Sequence, residues 1–393
     1  MLPLPRGYRL VFEPVLDRDG SGRWRLLRSL ASLGAAFAVA ALVLTAAGVD
    51  AGLAYRQIFT ASFADVPALS DTLVRATPLA LCALGSALAF RARLWNIGGE
   101  GQLLVGAWAA VGVVLHGLPA STPRPILLIA MLFCAAVASA LWAGLCALLR
   151  LWLGVSELLS SLMLNYIALL GLRSFVFGPW SEGGFGLTPQ LPRSAWLPRL
   201  SDLAERVPAC RGLTVHLGFV LAVLCVVFFG LVLSRSRFGY RLRVLGANPQ
   251  AARAAGLPVE RDILWALLLS GACAGLAGFC EVSGVVHRLS DRFSTGYGFT
   301  ALIVAWLAGL QPRWILPAAI LFGGLLVGGQ ELQPGGIPLL LQGVVLMAVL
   351  ASEALLRSRP RLLRPEAGSS DEPSGASAAA TAAQKSDHSE DLP

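Results

Sequence analysis

Trp95-Asn96-Ile97-Gly98-Gly99-Glu100-Gly101-Gln102 interrupts a long apolar region of the chain. Gly98, Gly99 and Gly101 would cost a continuous helix about 3 kcal/mol relative to alanine. The apolar run that follows, Leu103 to His116, has 14 residues. At 1.5 Å per residue it reaches about 21 Å, short of a bilayer core of about 30 Å. Backbone that unwinds at membrane depth must be buried in protein or line a cavity. The stretch therefore reads either as a broken span beside a solute route or as a surface loop before a short helix.

The same pattern recurs in the second half of the chain. Ser294-Thr295-Gly296-Tyr297-Gly298-Phe299-Thr300 precedes a run to Leu310 that is shorter still. Paired glycine-interrupted segments in corresponding halves point to a transport route. The surroundings agree. Of 393 residues, 56% are hydrophobic and only 14% are charged, against about 25% charged in soluble domains. Hydrophobic segments fall at about 27–48, 72–90, 102–116, 125–149, 155–177, 213–234, 263–286, 299–311, 314–330 and 337–356. The expected fold is all-α, a polytopic transmembrane bundle of about ten spans. Residues 1–26 form a basic N-terminus, 27–357 the transmembrane domain, and 358–393 a disordered tail rich in Ala, Ser and acid.

Basic residues set the orientation. The net charge is +8, and all but one of the 31 Lys and Arg are arginine. With the N-terminus cytoplasmic, 20 arginines fall on the inner side. Both termini are then cytoplasmic, 178–212 is an external loop and 235–262 a cytoplasmic loop. The lone lysine, Lys385, follows Gln384, so the chain has no phosphate-binding loop ending in Gly-Lys-Ser/Thr. The seven cysteines include no CxxC pair, and the four histidines lack metal-ligand spacing. No metal and no nucleic acid are expected.

In the 235–262 loop, Asn248 suits an N-cap, Pro249 the first helical position and Gly256 the residue past the C-cap. The result is a two-turn helix that is marginal alone. It is either a connector or a surface that docks into a partner.

Five stretches occur in order. They are Leu94–Gln102, Ser161-Leu162-Met163-Leu164-Asn165-Tyr166-Ile167-Ala168, Gly246–Gly256, Leu269-Ser270-Gly271-Ala272 with Ala274-Gly275-Leu276-Ala277-Gly278, and Gly296-Tyr297-Gly298-Phe299. Together they resemble the permease subunits of bacterial ABC importers of the nucleoside type, within the branched-chain amino acid/ribose permease family. The resemblance runs from about Thr72 to Leu356. It implies a multi-pass protein of the bacterial inner membrane that forms the route for a nucleoside or similar small polar solute. It also implies a second permease subunit, an extracytoplasmic binding lipoprotein and a separate ATPase that holds ATP and magnesium. No cofactor is expected in this chain. Gly246, Asn248, Pro249, Ala251, Ala252 and Gly256 would form the helix that couples to the ATPase. Departures from the family pattern at Trp95, Gly99, Ala301 and the Leu307–Pro312 stretch bear on which solute is carried.

For a planar, neutral, polar solute, Asn96, Gln102 and Asn165 can donate and accept hydrogen bonds. Trp95, Tyr297, Phe299 and Trp306 can stack on a base. Glu100 and Glu281 are costly within a membrane. Glu100 either caps the backbone turn, contacts solute or sits at an interface. Glu281 either pairs with an arginine such as Arg75 or contacts solute. Asn165 is helix–helix glue or a ligand. Rival readings are a permease for a simple sugar or a branched-chain amino acid, an ion-coupled transporter using the two glutamates, an intramembrane enzyme using Ser283 and His287, and a membrane scaffold.

Overall fold

The computed structural model describes residues 9–14, 22–46, 48–119, 121–204, 207–293, 296–330, 341, 343–345, 347–348, 351 and 358–363. Contacts divide the chain into two units, residues 29–350 and a unit made of 1–28 with 351–393. In the second unit β1 (Arg9–Pro14) pairs antiparallel with β2 (Ser358–Leu363), Arg9 opposite Leu363 and Pro14 opposite Ser358. Residues 358–363 are thus a strand where a disordered tail was expected. Residues 364–393 lie outside the described residues.

The first unit is helical. Its elements are α1 (Gly22–Ala46, shared with the other unit), α2 (Ala51–Phe63), α3 (Val66–Arg91), α4 (Gly99–Gly112), α5 (Arg124–Leu153), α6 (Glu157–Phe177), α7 (Leu217–Arg235), α8 (Arg237–Ala247), α9 (Pro249–Ala254), α10 (Val259–Glu281), α11 (Tyr297–Leu307) and α12 (Pro312–Gln330). One π turn follows α4 at Val113–Gly117 and another follows α10 at Val282–Val286. Six helices among the described residues are long and apolar enough to cross a membrane, namely α3, α5, α6, α7, α10 with its π turn, and α12. Leu33–Ala46 and α2 together would make a seventh, bent by 119°.

Among the described residues, not all ten expected segments form helices that are by themselves long and apolar enough to cross a membrane. Segments 102–116 and 299–311 are the short helices α4 and α11. Most of 337–356 lies outside the described residues. Helix α2 falls in a stretch read as connecting loop. Its start is set by Asp50, which accepts from the Leu53 N–H at 3.0 Å, a cap that supplies one of the orphan donors of a first turn.

Helix α3 is the axis of the bundle, with 89% of its apolar window buried, and α10 follows at 67%. The stripe Gly271, Gly275 and Gly278 lets α10 approach its neighbours: a Cβ at any of the three would overlap backbone of α5 or α4. Small residues at such crossings let dispersion act where lipid offers no hydrophobic drive. The outer helices show the opposite pattern. Ile129, Phe133 and Leu141 of α5, Ile167 and Leu170 of α6, and Val227 and Phe228 of α7 are all exposed. An apolar surface this continuous suits hydrocarbon rather than water.

Candidate translocation site

The two glycine-broken segments meet each other. Helices α4 and α11 begin within van der Waals contact, so that a Cβ on Gly298 would overlap the backbone of Gly99 and Glu100. The Glu100 carboxylate closes the junction. Its Oε2 accepts the Gly298 N–H at 2.7 Å, and the N–H groups of Gly296 and Phe299 face it as well. Glu100 stands in the first turn of α4 and caps the first turn of α11. A carboxylate there satisfies orphan donors and complements the positive helix end.

The break before α4 is stapled by side chains. Asn96 Oδ1 accepts from Gly98 N at 2.9 Å and from Gln102 Nε2 at 3.1 Å, while its Nδ2 donates to Ser270 Oγ at 2.9 Å. Asn165 Oδ1 accepts from Gly101 N at 2.8 Å, and its Nδ2 donates to the Ile97 carbonyl at 3.0 Å. Ser161 Oγ accepts from Ile97 N and Glu157 Oε1 from Trp95 N, both at 3.2 Å. Glu157 also pairs with Arg150. Glu157, Ser161 and Asn165 recur every four residues along α6, one face of one helix.

Beside the junction, Arg75 of α3 donates to Tyr297 Oη at 2.6 Å and lies 3.6 Å from Glu281 Oε1. Phe90, Trp95 and Trp306 form an aromatic cluster with ring centroids 5.5–6.2 Å apart. Arg91, at that end of α3, donates to the Leu310 carbonyl at 3.1 Å.

The loop between α8 and α10 folds as its sequence predicts. Asn248 Oδ1 accepts from Gln250 N at 2.9 Å and Ala251 N at 3.2 Å, and Gly256 takes φ +72°. Gly246 packs so tightly on the Arg91 carbonyl that a Cβ there would overlap it. A cavity of about 280 Å³ separates Pro249 of α9 from Arg93 and Leu94, which lead into the break.

A family model described as "Branched-chain amino acid transport system / permease component" matches residues 68–350. The chain belongs to this family. The permease is 36% identical over 334 residues to the glucose ABC transporter permease protein TsgB13 of Haloferax volcanii, covering 83% of this chain and 87% of that one. It is 32% identical over 329 residues to the guanosine ABC transporter permease protein NupP of Bacillus subtilis, covering 83% and 92%. The guanosine ABC transporter permease protein NupQ of the same organism is 28% identical over 261 residues, covering 64% and 78%.

In this permease the nine residues expected along the route divide among three places. Asn96, Glu100, Gln102 and Asn165 are buried; Asn96, Glu100 and Asn165 hold backbone, and Gln102 braces the Asn96 side chain. Glu281 and Tyr297 are buried around Arg75, so the Tyr297 ring, 2% exposed, has no open face for stacking. Trp95 and Phe299 are 48% and 44% exposed, and Trp306 is half-buried against Trp95. In the α9 region Asn248, Pro249, Gln250, Ala251, Ala254 and Ala255 are exposed, but Ala252 is fully buried in this chain's own core. Its methyl anchors α9 rather than facing a partner. Sequence reasoning missed Glu157 as a staple; its four-residue spacing to Ser161 and Asn165 on an apolar helix was the available signal. The Ser283 hydroxyl does not hydrogen-bond the His287 ring: it is buried without a partner among the described residues, and His287 Nε2 meets Arg199 at 2.8 Å.

Proposed function

We propose that this permease is one of two unlike membrane subunits of an ATP-driven importer in the bacterial cytoplasmic membrane, and that it carries a nucleoside or a related solute built on a sugar ring. ATP and magnesium belong to a separate ATPase chain, and solute arrives from an extracytoplasmic binding lipoprotein. Two similar permeases in one Bacillus, NupP and NupQ, support the unlike pair. Names that specify guanosine and glucose support the solute class, since both carry a hydroxylated ring. A simple sugar is the second reading, favoured by the 36% identity to the glucose permease. Ten spans with both termini cytoplasmic fit the arginine distribution.

One observation carries the reading. The glycine-rich first turns of α4 and α11 lie buried in an apolar bundle, packed on each other, with their N–H groups held by Glu100 and Asn165. The orphan N–H groups of two buried helix starts need such engagement, and Phe299 stands exposed beside them. In this reading α9 docks on the ATPase through Gln250, Ala251, Ala254 and Ala255. The solute route runs along Trp95, Phe299 and Trp306, with the buried polar groups holding its wall. The test is purification of the tagged chain from its own cells, followed by uptake of labelled guanosine and glucose in a strain lacking it. Co-purification of an ATPase and a second permease, with uptake of either solute lost in the deletion strain, is expected. A chain that purifies alone and transports without ATP would overturn the proposal.

A further inference from the structure

A cavity of about 240 Å³ opens at the end of the bundle that carries the 178–212 loop. Its walls include Asp71 and Arg75 from α3, Arg199 from the loop, Thr214 before α7 and Gln330 at the end of α12. The loop that covers it is tied down. Leu197 N–H donates to the Ser283 carbonyl and Leu191 N–H to the His287 carbonyl, both at 2.9 Å. Arg199 donates to the Gly284 carbonyl at 2.7 Å, and Trp196 stacks on His287 at 3.7 Å between ring centres. The π turn at Val282–Val286 is therefore the floor of a shaped, persistent pocket.

Its chemistry suits a neutral hydroxylated ligand. Asp71 Oδ1 accepts from Thr214 Oγ1 at 2.6 Å, and the residue is exposed in the cavity wall. Arg75 is 28% exposed there. Its Nη1 is engaged by Tyr297 and Glu281, while Nε and Nη2 have no partner among the described residues. Behind it Glu281, 3% exposed, has an Oε2 with no hydrogen-bond partner among the described residues. Two guanidinium groups and the Asp71 carboxylate line the cavity, with Glu281 buried behind Arg75, so the charges of the site are already matched and an added net charge would be left uncompensated. Vicinal hydroxyls match: each can accept from a guanidinium N–H and donate to a carboxylate. Planar, forked donors favour Arg over Lys for that task.

We propose that this cavity reads the sugar hydroxyls of the transported solute, and that Arg75 passes its occupancy through Tyr297 to the junction of Gly298 and Glu100. The proposal rests on the reading of this chain as a permease for a sugar-bearing solute. When solute hydroxyls engage Arg75, its hold on Tyr297 changes, and Tyr297 is the first residue of α11.

The test places a single thiol at the cavity mouth, Thr214→Cys with Cys210→Ser, in cells expressing the complete importer. A membrane-impermeant, cationic thiol reagent is applied with and without guanosine, uridine or glucose. A matched Glu182→Cys chain, exposed on the same loop and outside the cavity lining, serves as control. A solute that is taken up should slow labelling at 214 about tenfold at saturating concentration and leave 182 unchanged. Uptake without protection at 214 overturns the cavity and leaves the permease reading standing. Protection without uptake keeps the cavity and overturns the importer reading. Neither uptake nor protection by any of the three overturns both. Adding Arg75→Lys to the 214 chain should abolish protection while the importer still assembles; protection that survives would remove Arg75 from the site.

Discussion

Glu100 serves two helix beginnings at once, and that double duty defines what its replacement should do. Glu100→Gln keeps an acceptor for Gly298 N–H but forfeits the charge, worth about 1 kcal/mol at a helix end. Most transport should survive in Glu100→Gln and little in Glu100→Ala, as read by initial uptake rates. Equal loss in both would instead mark the proton itself as essential, as in an ion-coupled transporter. Asn165→Ala strands the buried Gly101 N–H and Ile97 carbonyl. A cost on the order of 2–4 kcal/mol is expected, seen as a lower detergent-unfolding midpoint. Gly298→Ala should cost about 1–3 kcal/mol by overpacking and reduce uptake, while Gly34→Ala, with open space around it, should change neither. At this scale the sequence was partly legible. Glu100 as a cap and Glu281 beside Arg75 were each among the readings of a costly acid in an apolar run. That Asn96, Gln102 and Asn165 spend their hydrogen bonds on one another and on nearby backbone and side chains could not be read from one dimension, because their partners lie up to 174 residues away.

Among elements, α9 offers the sharpest contrast. Ala251 is exposed and Ala252 is fully buried. Ala251→Trp should leave the fold intact and lower solute-stimulated ATP hydrolysis in the assembled importer. Ala252→Trp should destabilise the chain itself, visible as reduced recovery from membranes before any assay of coupling. Caps and breakers made α9 legible, since Asn248, Pro249 and Gly256 act within one or two turns. Helix α2 was not legible as a helix, because Arg56, Gln57 and Thr60 dilute its apolar pattern. Its placement comes from packing, with Gly328 of α12 pressed against Ile58. The lengths of α4 and α11 were legible because glycine clusters mark where a helix cannot continue. That the two clusters touch is a tertiary fact with no local signature.

On the scale of the whole helical unit, the end that carries the 178–212 loop is the pH-sensitive part. His216 and His287 lie at the ends of α7 and the second π turn. Burial first, and the Arg199 charge second, push both down to about 4 from 6.5. Each also borders the other, and His216 packs on Gly284. The fold therefore favours the neutral imidazoles. Their contribution is fully present above pH 6.5 and is lost as pH falls toward 4, because the unfolded chain then binds protons that the folded chain refuses. A thermal midpoint that is flat from pH 7 to 8 and declines below about 6.5, with the decline weakened in His216→Gln, is the expected result. Because the Glu100 carboxylate is already held by N–H groups at the start of α11, the junction of α4 and α11 does not present it as a bare anion to a passing cation.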